Sequence, residues 1–199
     1  HTVEHEMKSD GIGYIRIIEF DSVTYDQFAS ALEDLENQGM TGLVIDLRNN
    51  PGGNLDTVCD ILDLILPEGT IVSTKDKNGE GEAYTSDEEH KLEIPLSVLT
   101  NGNSASASEI FAGAVQDYGV GTLVGTTTFG KGIVQQIFPL TDGTSIKLTI
   151  SEYFTPKGRN IHGTGIDPDV EVEYEYNKED PEADNQLEKA IEIVKENGM

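Results

Sequence analysis

Apolar positions along this chain switch between two periods, and the switches mark out its elements. Gly11 to Phe20 (GIGYIRIIEF) is rich in β-branched and aromatic residues and reads as a strand. Phe28, Ala31, Leu32 and Leu35 then recur at helical spacing, with Thr24 and Gln27 as a capping-box pattern ahead of them and Gly39 behind. Gly42 to Arg48 (GLVIDLR) returns to a continuous apolar run, the pattern of a strand covered on both faces. Strand, helix and strand at these lengths predict a right-handed βαβ unit.

The alternation continues downstream. Leu55, Val58, Cys59, Leu62, Ile65 and Leu66 predict a second helix. Ile71–Ser73 and Ala83–Tyr84 flank the charged stretch Lys75–Glu82 as a hairpin, and Asp87–His90 reads as a solvated loop. Leu96–Leu99 is a buried strand, and Ile110, Phe111, Ala114 and Val115 form a helix that Gly119 closes. Gly121–Gly125, Ile133–Leu140 and Thr144–Phe154 are strands, the last two joined at Thr141-Asp142-Gly143. Val170–Tyr176 alternates glutamate with apolar residues as a late edge strand. Lys178–Asp184 is a polar connection, and Leu187, Ala190, Ile191 and Val194 give a closing amphipathic helix. The expectation is one α/β unit with no internal repeat.

Composition narrows the partners. The chain has 199 residues, enough for one full core, and a net charge of −24 from 37 acidic and 13 basic residues. Phosphate backbones and anionic lipid surfaces would be repelled, so no nucleic-acid partner is expected. No apolar run reaches the ~20 residues of a membrane span. Cys59 is the only cysteine, which rules out an internal disulfide and suggests an inert core position. Histidine and cysteine are too sparse for a metal site, and no cofactor is expected.

Two loops follow buried strands and carry the candidate chemistry: Asn49-Asn50-Pro51-Gly52-Gly53, and Asn101 to Glu109 (NGNSASASE). They could face each other at one end of a sheet. Paired glycines let a backbone present N–H groups, and a serine at a helix start lies where N–H groups are unpaired and the dipole is positive. Three serines that simply cap a helix is the plainer alternative.

Three chemistries compete. Gly125 to Gly132 (GTTTFGKG) comes within one residue of a phosphate-binding P-loop, but it lacks the final hydroxyl, and Ile133–Phe138 reads as a strand where a helix is needed. Gly102-Asn103-Ser104-Ala105-Ser106 resembles a nucleophile elbow without its second glycine, and its base would have to be His162, in a glycine-rich loop. The third is a serine with a lysine base. A lysine can accept a proton only when neutral, which burial favours. Lys131 lies between glycines, ahead of an apolar strand, with no acidic residue close in sequence. Spacing does not choose among Ser104, Ser106 and Ser108.

Taken together, Gly11–Ile15, Asp46 to Gly53 (DLRNNPGG), Ser104 to Glu109 (SASASE), Phe129-Gly130-Lys131-Gly132 and Gly163 to Asp169 (GTGIDPD) resemble the carboxyl-terminal processing proteases, also called tail-specific proteases. These are S41-type serine endopeptidases with a Ser-Lys dyad, and the resemblance runs from about Thr2 to Val172 with all motifs in order. It implies a core of the ClpP/crotonase type, with additional mostly antiparallel strands and a C-terminal helix. It implies Ser106 as nucleophile, Lys131 as general base, Gln135 holding the lysine amine, and backbone N–H groups of Ala107 and of Gly52 or Gly53 as the oxyanion hole. The organisation expected is a peptidase core over residues 1–176, with 177–199 packed on or near it. Relatives usually carry a PDZ domain before this core, and here the core pattern begins almost at residue 1. The alternative is a peptide-binding module of the same fold that does not cleave, or a core inactive without its PDZ domain. Implied partners are polypeptide substrates and other copies of the chain in a homo-oligomer. The implied location is the cell envelope or another extracytoplasmic compartment.

Overall fold

The computed structural model of the chain describes residues 1–198. Its central feature is a six-stranded sheet in the order β1-β2-β3-β6-β7-β10. The strands are β1 (Val3–Met7), β2 (Ile12–Ile17), β3 (Gly42–Asp46), β6 (Leu96–Thr100), β7 (Thr122–Gly125) and β10 (Val170–Glu171). Only β1 runs antiparallel to its neighbour; β2, β3, β6, β7 and β10 pair in parallel. All five residues of β3 and all five of β6 are buried, as continuous apolar runs require when both faces are covered.

Alternation along those strands sorts side chains to two helix layers. Leu43 and Ile45 of β3, Val98 of β6 and Leu123 of β7 join the larger core. That core also takes Phe28, Leu32 and Leu35 of α1 (Thr24–Asn37), Val58, Ile61 and Leu62 of α2 (Leu55–Asp63), and Phe111, Ala114 and Val115 of α3 (Ala107–Tyr118). Ile12, Val44, Leu99 and Val124 belong to a second cluster, with Ala190, Ile193 and Val194 of α4 (Asn185–Asn197). Arg48 fastens α4 from the core side. Its guanidinium reaches Asp46 at 2.6 Å and Asp184, the N-cap of α4, at 2.8 Å.

A second sheet, in the order β5-β4-β9-β8, is antiparallel throughout. It contains β4 (Gly69–Lys75), β5 (Ala83–Ser86), β8 (Ile133–Pro139) and β9 (Ser145–Phe154). Its β8–β9 hairpin projects from the body, leaving Ile137, Leu140, Ile146 and Leu148 exposed.

Most of the predicted elements are present, with three differences. The N-terminal strand β1 was not predicted, because Val3-Glu4-His5-Glu6-Met7 is a charged edge strand with its side chains largely in solvent. Thr24 and Gln27 do not form a capping box. Gln27 Oε1 instead accepts the N–H groups of Thr2 and Val3 on β1, and Thr24 bonds the hydroxyl of Thr2. The late strand is two residues rather than seven, because only one side of it meets a neighbour, β7.

Candidate active site

The three serines have different environments, which sequence spacing could not distinguish. Ser104 is fully buried; its Oγ donates to Leu47 O at 2.8 Å and accepts the N–H of Asn101 at 3.0 Å. Ser108 is also fully buried and donates to Asn50 O at 3.0 Å. Both hydroxyls tie the serine loop to the loop after β3. Ser106 instead lines a cavity of about 540 Å³.

The backbone at Ser106 explains that presentation. Its φ of 56° with ψ of −113° lies outside the ordinary regions for a residue bearing a Cβ. Such a conformation costs on the order of 1–3 kcal/mol and persists only where the surroundings impose it. Here the surroundings are visible. Ser106 N–H donates to Glu109 Oε2 at 2.9 Å, and its carbonyl accepts the N–H of Glu109 at 2.8 Å and the hydroxyl of Tyr153 at 3.0 Å.

The loop after β3 approaches the serine turn closely enough that only glycine fits. A Cβ built on Gly52 would lie 2.6 Å from Ala105 O and 2.7 Å from Ser106 Cβ, and its φ is 99°. Gly52 N–H is already given to Asn50 Oδ1 at 2.8 Å. Gly53 pairs with Phe20 through its neighbours, Gly52 O accepting from Phe20 N–H and Asn54 N–H donating to Phe20 O, which leaves the N–H of Gly53 itself unspent. Ala107 N–H, at the first turn of α3, is likewise unpaired among the described residues. Both residues line the cavity. Asn49, Asn101 and Asn103 bind the two loops together through side-chain bonds of 2.9–3.1 Å.

Lys131 and Gln135 line the same cavity. Lys131 is placed through its backbone. Its N–H donates to Glu109 Oε2 at 2.8 Å, and its carbonyl accepts from the Tyr153 hydroxyl. Among the described residues Lys131 Nζ makes no hydrogen bond or ion pair. Gln135 Nε2 is turned toward Thr149 Oγ1 at 3.4 Å, not toward the lysine amine. The other candidate chemistries are not assembled. Lys131 leads into strand β8 rather than a helix, and His162 is absent from the cavity wall, its backbone packed beside Gly132.

Sequence reasoning missed two groups. Glu109 is fully buried, and its carboxylate accepts from Ser106 N–H, Thr128 Oγ1, Gly130 N–H and Lys131 N–H at 2.6–2.9 Å. Its signal was present: Ser106-x-x-Glu109 is the capping-box pattern at a helix start. Tyr153 carried no local signal. Burial, and then the charge on Glu109, push its hydroxyl well above the usual tyrosine range, so it acts as a neutral donor.

A group of potential metal ligands, Asp63, Asp87 and His90, lies on the surface, apart from the residues lining this cavity. Asp63 Oδ1 is engaged by the N–H of Asp87 at 2.7 Å and serves the loop. Cys59 is buried in α2, and its thiol is pushed up to about 12 by burial and by Asp56 and Asp60. That suits an inert core cysteine.

Comparison with known proteins matches this arrangement to a family. A profile described as peptidase family S41 matches residues 11–172. The carboxyl-terminal-processing protease of Synechocystis sp. is 49% identical over 162 residues, covering 81% of this chain and 38% of that protein. The carboxy-terminal processing protease CtpB of Bacillus subtilis is 42% identical over 170 residues, covering 85% of this chain and 35% of that protein. The solved structure of a photosystem II D1 C-terminal processing protease superposes with a TM-score of 0.80 at 30% identity, covering all of this chain and 53% of that one. The chain thus spans well under half the length of these two relatives. By these matches and this architecture, the chain belongs to peptidase family S41.

Proposed function

We propose that the chain is the catalytic core of a serine endopeptidase that cleaves polypeptides near their carboxyl termini with a Ser106–Lys131 dyad. One observation carries the reading: Ser106, held at φ 56°, shares its cavity with Lys131 and with the unspent N–H groups of Gly53 and Ala107. In the reaction, Ser106 Oγ attacks the scissile carbonyl while Lys131 Nζ takes its proton. The carbonyl oxygen becomes an oxyanion, stabilised by the N–H groups of Gly53 and Ala107. Lys131 then returns the proton to the leaving amine, and water hydrolyses the acyl-enzyme. Gln135 lines the same cavity and is the residue the resemblance implies for orienting the lysine amine, although its Nε2 is turned toward Thr149 Oγ1 here.

The polypeptide partner fits an open cavity lined partly by backbone. The resemblance also implies an extracytoplasmic location and a homo-oligomer. No helix of the described residues is long and apolar enough to cross a membrane. The test is digestion of an unstructured protein such as casein, comparing the chain with Ser106→Ala. Cleavage that the substitution abolishes supports the dyad. Cleavage that persists in Ser106→Ala but disappears in Ser104→Ala overturns the assignment of the nucleophile.

A further inference from the structure

Ile133, Val134, Gln135 and Lys147 of the β8–β9 hairpin line the cavity, and Lys147 brings a charge with no role in the mechanism. Gln135 pairs with Thr149, and Ile137 with Lys147, in the antiparallel register. Side chains two residues apart on a strand share a face, so Gln135, Thr149, Ile137 and Lys147 form one strip. Gln135 and Lys147 both line the cavity that holds Ser106. Lys147 lies two residues beyond Thr149, about 7 Å farther along the strand, which is close to the spacing between alternate side chains of an extended peptide.

The charge of Lys147 is unanswered among the described residues. Between Ile133 and Ser151 the only other charged residue is Asp142, whose carboxylate is occupied by the N–H and hydroxyl of Thr144 in the hairpin turn. Among the described residues no carboxylate lies within ion-pair distance of Lys147, although the chain carries 37 acidic residues. Besides Lys131, the only other charged group on the cavity wall is Glu19. The cleft therefore has a lysine without a catalytic task and a carboxylate that disfavours anions near Glu19.

We propose that Lys147 is an anion-binding subsite that holds a carboxylate of the bound polypeptide close to the scissile bond. This rests on the peptidase reading for the identity of the ligand as a peptide. The carboxylate comes either from the free carboxyl terminus or from an Asp or Glu side chain. Both present the same planar anion to the ammonium group.

The test reads binding without turnover. In the Ser106→Ala chain, labelled peptides that differ only in a free or amidated carboxyl terminus are titrated by fluorescence anisotropy, beside a pair that differs only in an internal Glu or Gln. The expected result is three- to fivefold tighter binding of one carboxylate member at low salt, about the size of one solvent-accessible ion pair. The preference should shrink with added salt. Lys147→Gln should remove it and Lys147→Glu should invert it. Preference for the free terminus with no Glu effect identifies the terminal carboxylate, and the converse identifies the side chain. Equal binding within both pairs, a preference that survives Lys147→Gln, or no binding of any peptide overturns the subsite. Because these titrations need no cleavage, a chain that fails on casein yet shows the Lys147-dependent preference sinks only the peptidase reading.

Discussion

The carboxylate of Glu109 accepts the backbone N–H groups of both Ser106 and Lys131, at 2.9 and 2.8 Å through the same oxygen. Tyr153 meets the carbonyls of the same two residues. The proposed nucleophile and base, 25 positions apart in sequence, are thus held from both sides of their peptide groups. Glu109→Gln would place an amide donor among N–H donors. Each buried donor left unpaired costs about 1–3 kcal/mol. The expected outcome is a fall in melting temperature together with at least a tenfold loss of kcat/KM, read by thermal denaturation and peptide hydrolysis.

Tyr153→Phe removes a single hydroxyl and keeps the ring packed in the core. The expected stability cost is about 1 kcal/mol. If the hydroxyl sets the relative placement of Ser106 and Lys131, kcat should fall several-fold with KM little changed. A proportional rise in KM would assign Tyr153 to substrate contact instead.

Gly52 and Gly102 make a matched pair. Gly52→Ala puts a methyl 2.6 Å from Ala105 O at a φ of 99°, so both stability and activity should drop sharply. Gly102→Ala meets only Thr127 O, at 3.9 Å, and should behave as wild type in both assays. Equal effects would mean that the glycine loop yields more readily than its contacts imply.

Ser97 on β6 is fully buried, and its Oγ has no hydrogen-bond partner among the described residues. Replacing an unsatisfied hydroxyl with hydrogen removes a desolvation cost, so Ser97→Ala should be neutral or stabilising by about 1 kcal/mol. Chemical denaturation measures this directly.

Asp184 ties α4 to Arg48. Burial raises its pKa, but the hydrogen bonds and charge of Arg48, together with the N–H groups of Leu187 and Gln186, outweigh this and hold the carboxyl below its ordinary 3.8. A depressed folded-state pKa means that the contribution is present above about 3.8 and lost as pH falls through the lower folded value. Wild type and Asp184→Asn should therefore differ most in stability at neutral pH and converge below pH 3.8. A gap that stays constant with pH would remove the ion pair as the cause.

The legible parts of the sequence were those whose signal is local. Apolar runs at Leu43–Leu47 and Leu96–Leu99 announced doubly covered strands, and the helical spacing of Ile110, Phe111, Ala114 and Val115 announced α3. The motifs around Gly52-Gly53 and Lys131 pointed to one chemistry because several occur in order. What stayed hidden depends on partners distant in sequence. β1 is recognisable only beside β2, Gln27 serves β1 rather than its own helix, and Tyr153 matters through carbonyls 47 and 22 residues away. The burial of Ser104 and Ser108 likewise follows from Leu47 and Asn50, on another loop.

Under the proposed mechanism, the backbone at Ser106 also sets stability and catalysis against each other at one codon. Glycine accepts that conformation without strain, so Ser106→Gly would yield a chain that folds at least as well and has no nucleophile. A search for hardier variants that scored only folding would therefore discard the proposed nucleophile early. Engineering of this scaffold must select for turnover at every round.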